Sequence, residues 1–435
     1  SSTGAADTFM GSTAAPPPPG QPPTAPPVAA PPVAARPATT ASTVDLPPIK
    51  VGDQRDFWVW DFAIMPPAPK QIHATLQSVG DRSQIWVDDA AWSQSVTATD
   101  VQTLSNRLER QSPAGSVNPT RGVVDIDTAY FGAPPDSIDK DPRVTVLVTP
   151  FAAFNGTTMD GYFNAFDQMP DSDAWGQYQQ RSNERNVIYL NAAGPGIAGD
   201  YMQGVLAHEL SHLLQFGRAP EQSSWIGETL GEVAMAVNGY HTDFGHVARH
   251  QRKPSSPVES DTYVDYGASY LFGTYMLERY GAGFISALAR ENGNGRDAIE
   301  RVLRANGSTD TFSSLVSDWT VANYADARGV MAPGHHYASL DIPAPAETVL
   351  ADPGGKAEGD LKPTGAAYVR VDAPAGARVH IDGGNGAVRA MTFDGPRLQI
   401  ADVDTRDGSV VPAGSVLAIA SVGTEPLHYT VTAAG

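Results

Sequence analysis

The chain has 435 residues, with 48 acidic side chains against 29 basic ones, a net charge of −19 and no cysteine. That balance disfavours nucleic acid and anionic membranes as partners, and the missing thiols exclude disulfides and every thiolate metal site. No run of eighteen apolar residues occurs, so no transmembrane helix is expected, and the length allows two to four domains.

Residues 1–48 are low-complexity and rich in Ala, Pro, Thr and Ser, with Pro16–Pro19, Pro22-Pro23, Pro26-Pro27 and Pro31-Pro32. Proline runs favour polyproline II and leave little to bury, so a disordered, semi-rigid tether is expected. The start, Ser1-Ser2-Thr3, carries neither a basic nor an apolar leader. The reading is of an exported, processed protein, secreted or held at the cell surface by the tether.

From Val51 the pattern changes to Phe57-Trp58-Val59-Trp60, then the alternating runs Gln71–Val79 and Ser83–Val87 around a turn at Val79–Arg82. These predict a small antiparallel β unit, followed by an amphipathic helix over Thr97–Leu108, so that 49–112 forms an N-terminal region. Arg143–Val148 and Asn186–Leu190 read as strands, with loops at Gly156–Gly161 and Pro170–Gly176. Asp136, Asp139 and Asp141 bunch before the first of these strands. A structural calcium ion is conceivable there, although the spacing is not that of an EF-hand and turn-forming aspartates are the plainer reading.

Residues 201–217 contain His208-Glu209-Leu210-Ser211-His212 on an apolar helical repeat of Val205, Leu206, Leu210, Leu213 and Leu214. Asp200 is placed as the N-cap and Gly217 as the C′ residue. His208 and His212 stand one turn apart on one helix face, where both imidazoles reach one ion. Glu209 lies about 100° further round, placed to act on a water as a base. A second helix, Ser224–Val237, carries Glu228 and Glu232 on one face. A third runs from Tyr266 to Arg279 with Gly281 closing it, and Phe284–Glu291, Arg296–Arg304 and Thr311–Tyr324 are further helices. In 340–435, short apolar strands at Ala367–Val371, Arg378–Ile381, Leu398–Ile400, Val416–Ile419 and Tyr429–Val431 predict a C-terminal all-β sandwich or jelly roll. The fold class is therefore α+β, with 113–335 as the chemical domain.

A hydrolytic zinc site needs three protein ligands and an open position. Without cysteine, the third ligand comes from Glu228 or Glu232; the metzincin continuation, a third His following His212, is absent. His208–Phe216 followed by Trp225-Ile-Gly-Glu228-Thr-Leu-Gly-Glu232 resembles the gluzincin zinc metallopeptidases. Asp127–Gly132, Gly161-Tyr-Phe163, Ser182-Asn-Glu184, Asp265–Leu271 and Ser317-Asp-Trp319 are similar to the hyicolysin-like neutral metallopeptidases, over roughly 50–330. The resemblance implies a zincin-like catalytic domain and a bacterial exported endopeptidase using one zinc ion on protein or peptide substrates. It also implies Glu228 as ligand, Glu232 as the partner of His208, and a Tyr or His oxyanion donor. Tyr266 is preferred for that donor over Tyr263, His241 and His246. The strand near Asn186–Asn191 is expected at the cleft, with an edge strand there to pair with substrate. The competing readings are a non-catalytic surface or binding protein with a structural or degenerate metal site, and a zinc hydrolase of non-peptide bonds.

Overall fold

β-branched and aromatic runs with period-two alternation become strands, and the longer 3.6-period runs become helices. The computed structural model describes residues 11–12, 48–64, 66–153, 158–240, 244–260, 264–406 and 408–434. The expected tether therefore lies outside the described residues, apart from Pro48 and a two-residue antiparallel pairing of Gly11–Ser12 with Thr158–Met159. The chain is mixed α and β and divides into two units, with a boundary after Thr242; residues 285–292 belong to the first.

The first unit is built on a six-stranded sheet. Strands β1 (Gln54–Asp61), β2 (Ala68–Val79) and β3 (Ser83–Asp88) form an antiparallel meander. β3 then pairs in parallel with β4 (Val144–Thr149), and β4 in parallel with β6 (Val187–Asn191). The N-terminal hairpin is thus not a separate β unit but half of the central sheet, because Ser83–Val87 find their second partner in Val144–Val148. β5 (Gly161–Phe163) closes the order as an antiparallel edge strand on β6. β6, the strand expected to flank the cleft, is interior and hydrogen-bonded on both sides, and the edge strand beside it is β5. Its all-apolar run, except for Asn191, fits that position.

The outer rim of β1 is satisfied without a neighbouring strand. Trp58 N–H donates to Asn183 Oδ1 (2.8 Å), Asn183 Nδ2 donates to the Trp58 carbonyl (2.9 Å), and Trp60 N–H donates to the Tyr162 hydroxyl (3.2 Å). Behind them, Tyr189 donates to Asp167 (2.6 Å) and stacks on Tyr162 with ring centroids 4.1 Å apart. Phe57, Val59, Leu76, Trp86, Leu147 and Tyr189 fill the core on this face.

Helix α1 (Ala98–Glu109) lies where the amphipathic pattern predicts a helix, and it starts at a Thr97 capping box. α2 (Val123–Phe131) follows. α3 (Asp171–Tyr178) occupies the stretch expected as a loop. Its Pro-Asp-Ser-Asp opening reads as a turn, yet Pro170 at the N-cap and acids in the first turn also suit a helix start. α4 (Asp200–Phe216) and α5 (Ser224–Val237) pack together, with α4 also against β5, β6 and α2. Asp200 is the first residue of α4 rather than its cap, which is Gly199. Gly217 is not a left-handed C′ residue: its φ is −63°, and its missing side chain instead admits Pro135, whose Cβ would lie 2.9 Å from an added Cβ.

The second unit holds α6 (Phe244–Arg252), α7 (Tyr266–Tyr280), α9 (Gly295–Ala305) and α10 (Phe312–Asp326); α8 (Ala282–Leu288) crosses the division. A β-sandwich follows. β8 (Lys356–Leu361), β15 (Leu427–Ala433), β10 (Ala377–Gly383) and β13 (Val410–Val411) make one sheet in that order. β12 (Arg397–Asp402), β11 (Gly386–Asp394), β14 (Val416–Ser421), β9 (Ala366–Val371) and β7 (Thr348–Leu350) make the other. Val369, Val371, Leu417 and Ile419 face Val379, Tyr429 and Val431 between the sheets. The alternate residues Tyr368, Val416 and Ala418 pack on Val321 and Tyr324 of α10.

Candidate metal centre

α4 is buried all along residues 202–215, and its polar His208, Glu209 and His212 are carried inside with it. α5 lies against it and brings Glu228 and Glu232 to the same place. One ligand atom from each of His208, His212 and Glu228 falls within 4.8 Å of the others, and all three residues are buried. His208 Nε2 is 3.4 Å from Glu228 Oε2, and His212 Nε2 is 3.8 Å from Glu228 Oε1. Tetrahedral zinc with bonds of about 2.0–2.1 Å would separate its ligand atoms by about 3.3 Å. The donor set therefore fits a single N,N,O-bound divalent ion. The group could hold a metal ion; nothing in it selects which one.

Glu232 lies on the other side of His208, its Oε1 3.4 Å from Nδ1. The two carboxylates left open by the sequence thus take different positions: Glu228 faces both histidines, and Glu232 faces the outer nitrogen of one. A carboxylate at that nitrogen fixes the ring and its tautomer, the usual support for a ligating imidazole.

The electrostatics are those of a site built around positive charge. Burial alone would lower His208, but the carboxylates of Glu228 and Glu232 outweigh it and raise the imidazole to about 10. Burial, then the neighbouring His208 charge, push His212 well below its ordinary value. Burial raises Glu228. Burial also raises Glu209 to about 8, with Glu228 and Asp160 adding to it and His208 opposing. Asp127 of α2, wholly buried, is raised well above the carboxylate range by burial; it accepts from Asn238 Nδ2 at 2.6 Å and feels His208.

Three features of this site carried no signal in the motif itself. At Gly231, between the two glutamates, an added Cβ would stand 2.5–2.6 Å from Cε1, Nδ1 and Nε2 of His208. At Gly161 of β5, it would stand 3.0 Å from Glu209 Cγ and 2.8 Å from Val205 Cγ1. Asp160, beside it, accepts from the Tyr201 hydroxyl at 2.6 Å. A glycine inside an otherwise good helix costs about 1 kcal/mol against alanine, so Gly231 signals a packing reason that sequence could have flagged.

Tyr266 opens α7 in the second unit, stacked on His246 of α6 with centroids 5.6 Å apart. Its N-cap, Asp265, accepts from Ala268 N–H (3.1 Å) and meets His250 Nδ1 (3.1 Å). Tyr263 and His241 lie outside the described residues. The calcium expectation is not supported. Asp141 is held by Arg143 at 2.7 and 2.8 Å and Asp139 by Arg185 at 2.8 Å, so guanidinium groups take the oxygens a cation would need. Comparison with protein-family models and with curated proteins finds no match for this chain.

Proposed function

We propose that the chain is a zinc-dependent endopeptidase with a zincin-like first unit, of the gluzincin type its motifs resemble. The observation that carries the reading is the convergence of His208, His212 and Glu228 on one buried point, with Glu209 beside it and Glu232 behind His208. A closed structural zinc site uses four protein ligands, whereas this cluster offers three among the described residues, which favours chemistry over a purely structural ion.

An ion held by His208, His212 and Glu228 would supply a Lewis acid and an acidified water. The chain's own residues do the rest. Glu209, raised toward neutrality by burial, takes the proton of the attacking water and returns it to the leaving amine. Glu232 holds the His208 ring in register. Gly161 lets β5 approach the Glu209 side chain closely, and the edge strand β5 offers its backbone to an extended substrate. The setting is extracytoplasmic, in line with the cysteine-free composition; among the described residues no helix is long and apolar enough to cross a membrane.

The test is metal content and casein cleavage of the purified protein beside Glu209→Gln. The variant is expected to keep its metal and lose nearly all turnover. A wild type that binds no zinc and cleaves nothing ends the proposal.

A further inference from the structure

A second recess lies in the first unit and shares no residue with the metal centre. It is a groove of about 750 Å³ between β2 and the outer side of α1. Among its lining residues are Gln77, Gln102, Asn106, Arg107, Arg110 and Gln111. A hydrogen bond from Ser78 Oγ to Ser105 Oγ (3.1 Å) ties strand to helix within it.

Its charge is unlike that of the whole. In a chain with 48 acidic residues, no carboxylate lines this groove among the described residues, where its charges are the two guanidinium groups. Arg107, in the last turn of α1, and Arg110, its C-cap, both line the groove. The helix dipole accounts for a cation in that turn, but not for a lining free of acids. Carboxamides surround the arginines, and a carboxamide can donate to and accept from a peptide group at once. Among the described residues no aromatic ring lines the groove for a sugar to stack on.

We propose that this groove docks an extended acidic peptide segment, with Arg107 and Arg110 pairing its carboxylates and the glutamine and asparagine amides holding its backbone. The inference does not rest on the peptidase reading. A protein with net charge −19 repels acidic chains at long range, and an acid-free arginine pair supplies a local place where they can be held.

The experiment is fluorescence anisotropy of fluorescein-labelled hexaglutamate with the full chain, and of labelled hexaglutamine as a neutral control. The acidic peptide is expected to bind and to weaken steeply as salt rises from about 50 to about 500 mM. Arg107→Ala with Arg110→Ala should weaken it at least about tenfold. Arg107→Lys with Arg110→Lys should restore part of the loss, and circular dichroism checks that both variants fold. Glu209→Gln should bind as wild type does, which separates docking from cleavage. Hexaglutamine binding as tightly as hexaglutamate, an unchanged affinity in the double alanine variant, or loss of binding in Glu209→Gln would each overturn the proposal.

Discussion

Replacing Gly231 by alanine tests whether the two-helix centre is as tight as its distances imply. The new Cβ would lie 2.5 Å from His208 Cε1 and 2.6 Å from Nδ1 and Nε2. Carbon contacts settle near 3.5 Å, so the ring or helix must retreat by about 1 Å. The ring is wholly buried, with a carboxylate oxygen 3.4 Å from each of its nitrogens, so it has little room to move. Overpacking of this kind costs about 1–3 kcal/mol, offset by about 1 kcal/mol of helix propensity. The larger effect is on the ion, since ligand distances tolerate only about 0.2 Å. Zinc affinity should fall about 100-fold or more, read by competition with a chromogenic chelator, while the melting temperature moves by only a few degrees. Gly227→Ala is the internal control. Its Cβ would sit 3.7 Å from His212 Nδ1, an ordinary contact, so metal binding should stay at the wild-type level. If Gly231→Ala binds zinc as tightly as Gly227→Ala, the helices are not held together as described.

Glu228→Ala is expected to lose the ion, whereas Glu232→Ala should weaken it by about 10–100-fold; equal losses would erase the distinction between them. Burial holds Asp167 at about 7 despite hydrogen bonds from Tyr189 and Asn183. Because folding raises this pKa, the protonated form stabilises the fold fully below about 4, and that contribution, a few kcal/mol at most, is lost as pH rises through 7. Thermal melts from pH 5 to 8 should show the slope, and Asp167→Asn should flatten it; an identical slope in the variant would assign the effect elsewhere.

Much of this was legible in the residues because the signals were local. The period-two runs at Gln71–Val79 and Ser83–Val87 and the capped helix at Thr97 are set by neighbours in sequence, and the structure follows them closely. The helix pair bearing His208, His212, Glu228 and Glu232 was readable for the same reason. What escaped was decided at long range. Asn186–Asn191 could not announce that it would be flanked on both sides, since its partners come from residues 144–149 and 161–163. Pro170–Gly176 read as a turn because its acids suit both a turn and a first helical turn. The roles of Glu228 and Glu232 depended on which nitrogen of His208 each would face, a fact of packing rather than spacing.

The side-chain ladder along β1 bears on how the molecule behaves at high concentration. An unpaired strand rim is a template for joining a second chain, and natural sheets blunt it. Here one asparagine imitates a neighbouring strand by both donating to and accepting from Trp58, with Tyr162 taking the next amide along. The sheet is thereby shut at the β1 end, while at the other end β5 pairs with no further strand among the described residues. Self-association through strands is steered away from the tryptophan-bearing rim, and Asn183→Ala should turn a monodisperse preparation into one that oligomerises through β1.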